Sequence, residues 1–220
     1  MSLRSTLLWQ LAQSLEQRWW RRYLSKQPIE AYLARKTAYW QRVLVETGVR
    51  PRPGERVLDA GCGPAGIFIA LAPHAVDALD PLLEVYRRDF PHLHAGRYPS
   101  IQFYPGPLEN GAPNPPYDLV YCLNAINHVR DLDAALSALT AALTPGGRLL
   151  LSTDAHRFRS LQRVFRLLPG DALHPQQYTT ADYLAKLGER GLEIVQCRVL
   201  KRGRVFDYVA FEAKKSEIGY

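Results

Sequence analysis

The chain has 220 residues, 47% of them hydrophobic and 22% charged, which is the composition of a globular protein with a large core. No run of about 18 apolar residues is present, which argues against a membrane-spanning helix. The apolar run near the N-terminus of the chain is interrupted by glutamines, so it makes a poor secretory signal. Three scattered cysteines without a C-x-x-C pair argue against a disulfide framework or a zinc site, and they predict a reducing, cytoplasmic location.

The net charge of +7 is concentrated near the start of the chain. Residues 1–50 contain nine Lys or Arg against three Glu, and they also contain all four tryptophans. Two helices are predicted here. Residues 3–24 form the first, with leucines at every fourth position (Leu3, Leu7, Leu11 and Leu15). Residues 29–47 form the second, with Pro28 at its start and Gly48 at its end.

These two helices have three interpretations. They are cap helices packed on the rest of the protein, or a lid over a ligand pocket, or, for residues 3–24, a peripheral contact with an anionic membrane. We therefore divide the chain into a helical cap or lid, residues 1–50, and a main domain, residues 51–220.

After Pro53, strand-like runs alternate with helix-like runs, which predicts an α/β fold with parallel strands joined by right-handed crossovers. The predicted strands are 56–60, 75–79, 100–104, 118–123, 147–152, 192–200 and 204–213. The predicted helices are 64–71, 81–88, 131–142, 157–167 and 180–190. The last two strands have no helix between them and should form an antiparallel hairpin at one edge of the sheet.

The sequence RVLDAGCGPAG at residues 56–66 indicates a buried strand followed by a glycine-rich turn. The glycines permit a tight turn and let a ligand approach the main chain. Asp80 ends the next predicted strand, close to where an acidic residue would bind ribose hydroxyls. Its alternative role is a helix N-cap before Pro81. The two features together indicate a nucleotide-like ligand.

Two later segments make a family resemblance specific. Residues 117–129, YDLVYCLNAINHV, and residues 143–154, LTPGGRLLLSTD, resemble the fourth and fifth strands of the class I S-adenosylmethionine-dependent methyltransferases, small-molecule branch. DAGCG, at residues 59–63, resembles their first motif. The resemblance covers about residues 53–213. It implies a Rossmann-like sheet of seven mostly parallel strands in the order 3-2-1-4-5-7-6, with strand seven antiparallel and helices on both faces.

The resemblance also implies S-adenosylmethionine as the methyl donor and suggests which residues bind it. Asp80 would hold the ribose hydroxyls, Leu108 and Glu109 the adenine, and Asn124 the methionine part, although Asn124 also suits a simple turn. Pro107 departs from the family, because many members carry Asp there. The expected donor-binding residues are Asp59, Gly61, Cys62, Gly63, Asp80, Pro81, Leu108, Glu109, Asn124 and, from the second helix, Tyr39.

Residues 114–117 spell NPPY, which resembles the catalytic motif of adenine-N6 DNA methyltransferases. In those enzymes the motif follows the fourth strand, where its Asn and Tyr meet a flipped base. Here the motif precedes the corresponding strand, at the wrong end of the sheet. We therefore expect no action on DNA.

A hydroxyl acceptor needs a base near neutral pH, and histidine suits that task. The candidates are His128, which also has a structural interpretation, His156, which Asp154 would orient, and His174, in a loop that would fold over the acceptor. Asp118 begins its strand instead of ending it, so no metal site of the catechol type is expected.

The leading hypothesis is methyl transfer to oxygen or nitrogen of a small-molecule acceptor. A lipid or quinone-type methyltransferase at a membrane face is the first alternative. An RNA methyltransferase, favoured weakly by the basic N-terminus, and a catalytically silent donor-binding protein are the others.

Overall fold

In a computed structural model, residues 3–94, 96–158 and 178–217 are described. They contain a seven-stranded sheet in the order β3-β2-β1-β4-β5-β7-β6. All neighbouring strands are parallel except β7, which is antiparallel to both β5 and β6. The strands are β1 (Val57–Ala60), β2 (Val76–Asp80), β3 (Ile101–Pro105), β4 (Tyr117–Leu123), β5 (Leu143–His156), β6 (Leu192–Lys201) and β7 (Phe206–Lys215). The predicted strand order and the terminal hairpin are confirmed.

Helices cover both faces of the sheet. The described helices are α1 (Leu3–Leu24), α2 (Ile29–Thr47), α3 (Leu83–Asp89), α4 (Leu132–Ala142) and α5 (Thr180–Gly188). The first three bury apolar side chains in one core, while α4 and α5 bury theirs in a second core across the sheet. A central sheet covered on both sides explains why all four residues of β1 are buried. The Rossmann-like α/β fold is therefore confirmed.

The N-terminal helices have the predicted bounds. α2 ends at Gly48, whose φ of 74° is left-handed and whose N–H donates to the Leu44 carbonyl at 3.1 Å. α1 is tied to α3 by an ion pair of 2.6 Å between Arg21 and Asp89. None of the helices in the described ranges is long and apolar enough to cross a membrane.

Three predicted elements differ from the structure. The helix expected at 64–71 is two short 3-10 turns, Gly63–Ala65 and Ile67–Ala70, because Gly66 between them has an extended backbone. β5 is longer than predicted, since it includes the Pro-Gly-Gly sequence, where its pairing with β4 shifts register. The predicted helix 157–167 lies almost wholly outside the described residues.

The strand order places a crevice beside β1. From β1 the chain builds β2 and β3 on one side, then returns to build β4 on the other. Helices leave in opposite directions at such a switch point, which opens a ligand site at the carboxyl ends of the strands. The glycine turn, Asp80 and Asn124 follow or end β1, β2 and β4, so all three meet there.

Candidate active site

A cavity of about 420 Å³ lies at the carboxyl ends of β1, β2 and β4, beneath α1. Its volume falls within the range of small-molecule sites, roughly 300–1,000 Å³. The wall joins the glycine turn, the ends of β2 and β4, and both N-terminal helices. The lining residues predicted from sequence are Gly61, Cys62, Gly63, Asp80, Pro81, Leu108, Glu109, Asn124 and His128.

The glycine turn presents its main chain to the cavity. Gly61 and Gly63 both have left-handed backbones, with φ of 76° and 56°. A Cβ added to Gly61 would collide with the Ala125 side chain, whereas nothing lies within 4 Å of one added to Gly63. The space beside Gly63 is thus open to a ligand. Cys62, between them, is buried, and burial raises the pKa of its thiol.

Asp80 joins the glycine turn to the start of α3. Its carboxylate accepts a hydrogen bond from the Gly63 N–H at 2.9 Å and another from the Leu82 N–H at 2.8 Å. Burial, helped by the nearby Glu16 carboxylate, raises the pKa of Asp80 to about 7. The N-cap of α3 is Leu82 and no side chain caps this helix, so the predicted N-cap role of Asp80 is wrong; its carboxylate binds the Leu82 N–H just before the helix and stands on the cavity wall.

Asp59 lies beneath the glycine turn, and its carboxylate does not line the cavity. It accepts a hydrogen bond from the Phe68 N–H at 3.1 Å and is 2% exposed. Burial raises its pKa to about 7. The expectation that Asp59 contacts the donor stays a prediction, and the structure does not place its carboxylate on the cavity wall. This side chain lies within β1 and binds the backbone of the second 3-10 turn, so it shapes the turn from below.

Glu109 and Asn124 occupy the wall on the β4 side. The Glu109 carboxylate accepts hydrogen bonds from the Arg130 and Asp131 N–H groups, at 2.7 and 3.2 Å, and so holds the loop before α4. Asn124 follows β4 with a φ of 54°, the one described non-glycine residue with a left-handed backbone. Such a conformation directs the chain sharply away from the strand end.

α2 contributes Lys36 and Trp40 to the cavity, not the expected Tyr39. Neighbouring residues of a helix point about 100° apart, so Tyr39 is turned toward β7 instead. The Lys36 ammonium lies 4.3 Å from the centre of the Trp40 ring, and burial lowers its pKa to about 8. The nearby Asp59 carboxylate partly opposes this lowering of the pKa, although no ion pair of Lys36 within 4 Å is found among the described residues.

α1 supplies a wall that the sequence analysis missed: Trp9, Gln13, Glu16, Trp19 and Trp20. Glu16 accepts hydrogen bonds from Trp20 Nε1 and from the Tyr86 hydroxyl, both at 3.3 Å. Leu11 and Leu15 of the leucine stripe are 51% and 37% exposed, so these two side chains do not pack on the domain. The side chains of Leu3 and Leu7 lie outside the described ones. The helical spacing of positions 9, 13, 16 and 20 was the signal that could have identified the inner face.

The three candidate histidines have different positions. His128 lines the cavity. His156 is 2% exposed and packs against the Phe206 ring, with ring centres 4.5 Å apart, so it does not line the cavity. His174 lies outside the described residues. Within the described ranges, no group of three or more His, Cys, Asp or Glu is arranged to hold a metal ion. The absence of a metal stays a prediction.

The NPPY sequence lies at the opposite end of the sheet. The Tyr117 hydroxyl donates to Asp77 at 2.7 Å, and the Asn114 amide donates to the same carboxylate at 3.1 Å. Asp77 stands near the amino end of β2, away from the cavity. These contacts give the motif a structural role.

We therefore predict that Asn114→Ala and Tyr117→Phe leave turnover within a few-fold of the wild-type value. Tyr117→Phe should still lower the free energy of unfolding by about 1 kcal/mol, since it removes a hydrogen bond. Steady-state kinetics and urea unfolding test both statements. A loss of turnover of about 10²-fold would restore a catalytic interpretation of the motif.

The raised pKa values of two buried acids predict how the free energy of unfolding varies with pH. Asp59 and Asp80 have folded pKa values of about 7, above the ordinary 3.8. Between these values the folded protein keeps protons that the unfolded chain has released. The free energy of unfolding should therefore fall as pH rises from about 4 to 7. Urea unfolding near pH 5 and pH 8 measures this change, which should be smaller in Asp80→Asn. An equal change in that variant would contradict the assignment.

Comparison with known proteins agrees with this geometry. The chain matches the family described as "Methyltransferase domain" over residues 32–197. It is 30% identical over 144 residues to the ubiquinone biosynthesis O-methyltransferase of Bradyrhizobium sp. (strain ORS 278), which covers 60% of this chain and 56% of that protein. The corresponding protein of Xanthomonas euvesicatoria pv. vesicatoria is 28% identical over 196 residues, covering 82% of this chain and 78% of that one. The chain thus spans little more than half of the Bradyrhizobium protein.

A solved structure has the same fold. Magnesium protoporphyrin IX methyltransferase from Synechocystis PCC 6803, with bound S-adenosylhomocysteine (SAH), superposes with a TM-score of 0.62 at 22% identity. The match covers 96% of this chain and 99% of that one. Its α/β architecture is similar to the one described here.

Proposed function

The chain belongs to the methyltransferase domain family, and from that premise we propose that it transfers a methyl group from S-adenosylmethionine to an oxygen of a small, quinone-type or phenolic acceptor. One observation carries the proposal. The cavity brings the glycine turn, Asp80 and the end of β4 into one wall, beneath two N-terminal helices. The preference for oxygen over nitrogen rests on the ubiquinone O-methyltransferases among the relatives.

The residues on the wall suit the proposed donor group by group. Open space beside Gly63 admits the methionine part against the main chain. Asp80 has carboxylate lone pairs beyond the two that its backbone partners use, and these suit ribose hydroxyls. Leu108, Pro81 and Val129 offer an apolar slot for adenine. We retain Cys62, Glu109 and Asn124 as proposed neighbours of the donor.

S-Adenosylmethionine would supply a methyl group bound to a positively charged sulfur. The acceptor oxygen would form the new bond to carbon while the carbon–sulfur bond breaks, its electron pair staying on sulfur and the acceptor's proton leaving. The protein mainly has to align the two molecules and exclude water. His128 is the described histidine on the cavity wall, so we propose it, ahead of His156, as the proton acceptor.

We further propose that Lys36 binds the donor's carboxylate. Its ammonium is in the cavity wall without an ion pair among the described residues, and a carboxylate is the complementary group. Lys36→Met, which keeps the stem, should weaken SAH binding about tenfold, the scale of a charged hydrogen bond. Calorimetry measures the loss. Arg35→Met on the next, outward-facing position is the control and should bind normally.

The test of the whole proposal is a turnover screen. The protein is incubated with S-adenosylmethionine and a set of catechols, hydroxybenzoates and aromatic amines. Mass spectrometry then follows SAH and products heavier by one CH2. Methylation of phenolic oxygens is the expected result. Methylation confined to the amines would contradict the preference for oxygen.

A second proposal concerns where the protein works. The outer face of α1 exposes Leu11, Leu15 and Tyr23, and Arg18 and Arg22 are exposed beside them. Trp19 lies between the two faces, because it is 53% exposed and also borders the cavity. An apolar stripe flanked by arginines is suited to the interface of an anionic bilayer. We therefore propose that α1 lies on a membrane surface, from which a hydrophobic acceptor would reach the cavity. Sedimentation with vesicles that contain phosphatidylserine tests this proposal.

A further inference from the structure

Glu16 is the acidic side chain that α1 contributes to the cavity wall, and none of the roles assigned above uses it. Its Oε1 atom accepts both of the hydrogen bonds described above, from Trp20 Nε1 and from the Tyr86 hydroxyl, at 3.3 Å each. Among the residues that the structure describes, the other oxygen, Oε2, has no hydrogen-bond partner. α1 therefore brings to the cavity a carboxylate oxygen that is free to accept a hydrogen bond.

The position of Glu16 is fixed by contacts between α1 and α3. The Tyr86 hydroxyl comes from α3, and Arg21, just over one turn further along α1, forms its ion pair with Asp89 at the end of α3. Trp20 Nε1 donates from one turn away within α1 itself. Burial raises the pKa of Tyr86, so its phenol keeps its proton and remains the donor. The carboxylate is thus held in place before a ligand arrives, which lowers the cost of binding.

The same contacts bring Glu16 to the end of the cavity that Asp80 occupies. The Asp80 carboxylate accepts from the Leu82 N–H, and the Leu82 carbonyl accepts from the Tyr86 N–H at 2.9 Å. The hydroxyl of the same Tyr86 donates to Glu16. Both carboxylates line the cavity, and the charge of Glu16 contributes to the raised pKa of Asp80. Two carboxylates from different elements therefore border one part of the cavity.

The acceptor positions that remain on these carboxylates indicate what they would bind. Each Asp80 oxygen already accepts one backbone N–H, from Gly63 or from Leu82, whereas Glu16 Oε2 accepts none. The vicinal hydroxyls of a ribose bring two donors, so one can bind Asp80 while the other binds Glu16. Pro81, which follows Asp80 directly, belongs to the slot proposed for adenine. The sugar of a nucleoside would therefore lie between the two carboxylates.

We infer that Glu16 binds a ribose hydroxyl of the methyl donor through Oε2, alongside Asp80. The inference rests on the proposed function, since it names a further residue that would hold the donor of that reaction. Trp20 and Tyr86 are positioning residues, because they hold Oε1 and so leave Oε2 to the ligand. α1 would then close directly on the donor and not only around the acceptor.

The experiment compares ligands that differ by one hydrogen-bond donor, by calorimetry on the full chain. Glu16→Gln should bind SAH about tenfold more weakly than the wild type, the scale of one hydrogen bond to a charged group. Trp20 and Tyr86 both donate, so the amide oxygen of the variant stays with them and its NH2 group takes the place of Oε2. The loss should vanish with either the 2′-deoxy or the 3′-deoxy analogue of SAH, whichever lacks the hydroxyl that Glu16 contacts. With that analogue, variant and wild type should bind within twofold of each other.

Glu84→Gln is the matched control for Glu16→Gln. It makes the same chemical change on α3, at an exposed position outside the cavity lining. It should bind SAH as the wild type does. Where Glu16→Gln fails to fold, Glu16→Asp keeps the charge but draws it back from the ligand, and it allows the same comparison of SAH with its deoxy analogues.

The outcomes separate this inference from the proposed function. Equal SAH affinity of the wild type and Glu16→Gln would overturn the inference alone, as would an equal loss in Glu84→Gln. A tenfold loss that persists with both deoxy analogues would also overturn it. A loss that disappears only with S-inosylhomocysteine, which lacks the adenine amino group, would overturn it in favour of a contact with adenine. Failure of the wild type to bind SAH would overturn the proposed function and this inference with it.

Discussion

Replacing Asp80 by alanine is expected to weaken SAH binding by about 1.5–3 kcal/mol, or roughly 10–100-fold. The carboxylate stands on the cavity wall, 7% exposed, at the end of β2. Ribose hydroxyls would donate to it in a charge-assisted pair. The variant also loses the acceptor for the Gly63 N–H, and so the glycine turn itself should loosen. Calorimetry measures the affinity.

The sequence alone suggests that this variant keeps its stability, and the structure changes that expectation. Two backbone N–H groups, of Gly63 and Leu82, would be left without their acceptor, which costs about 1–3 kcal/mol for each that stays buried. Partly offsetting this, the variant removes a carboxylate whose ionisation is disfavoured by burial. Urea unfolding should therefore show a moderate loss.

Asp77→Asn is the matched control for Asp80→Ala. It changes an aspartate on the same strand, hydrogen-bonded to Tyr117 at the far end of the sheet. It should lower stability and leave SAH affinity unchanged. If both variants lost affinity equally, the effect of Asp80→Ala would report damage to β2 and not a ribose contact.

The strand order and the site region could be predicted because local pattern and topology agree. Alternating strand and helix signals dictate parallel pairing, and parallel strands carry their carboxyl ends to one edge. Gly61 and Gly63 lie within three residues of the end of β1, and Asp80 ends β2, so the predicted strand order is enough to place them at one edge of the sheet. The same reasoning placed NPPY at the other edge.

The inner faces of α1 and α2 were missed in the sequence, because the leucine pattern of α1 competes with the spacing of its cavity residues and packing decides which face turns inward. Leucines define the apolar stripe of α1 by pattern, yet Trp9, Glu16 and Trp20 face the cavity while Leu11 is exposed. Tyr39 and Trp40 differ by one position, and no local signal says which of them points inward. The bond between the Asp59 carboxylate and the Phe68 N–H could not be predicted for a similar reason, since it depends on how the glycine turn folds back.

Loss of α1 is expected to have the largest effect on turnover. It forms one wall of the cavity through Trp9, Glu16 and Trp20, and it contacts α3 through Tyr86 and Asp89. A helix in that position would exclude water and complete the site, so deleting residues 1–24 should lower turnover at least tenfold. The strands all lie downstream, and the truncated chain should keep its sheet, which circular dichroism would show.

Point variants on the two faces of α1 separate closure of the cavity from membrane binding. The inward pair Trp9→Ala/Trp20→Ala should weaken SAH binding and turnover of a soluble catechol about tenfold, because it opens the cavity to water. The outward pair Leu11→Ser/Leu15→Ser lies outside the cavity lining and should leave both unchanged, while sedimentation with vesicles containing phosphatidylserine should fall, as apolar area on the outer face is lost. Normal soluble turnover by the inward pair would contradict closure. Unchanged sedimentation of the outward pair would contradict the membrane contact. Loss of soluble turnover in the outward pair alone would mean that α1 packs with its leucine stripe inward, as the sequence pattern by itself suggests.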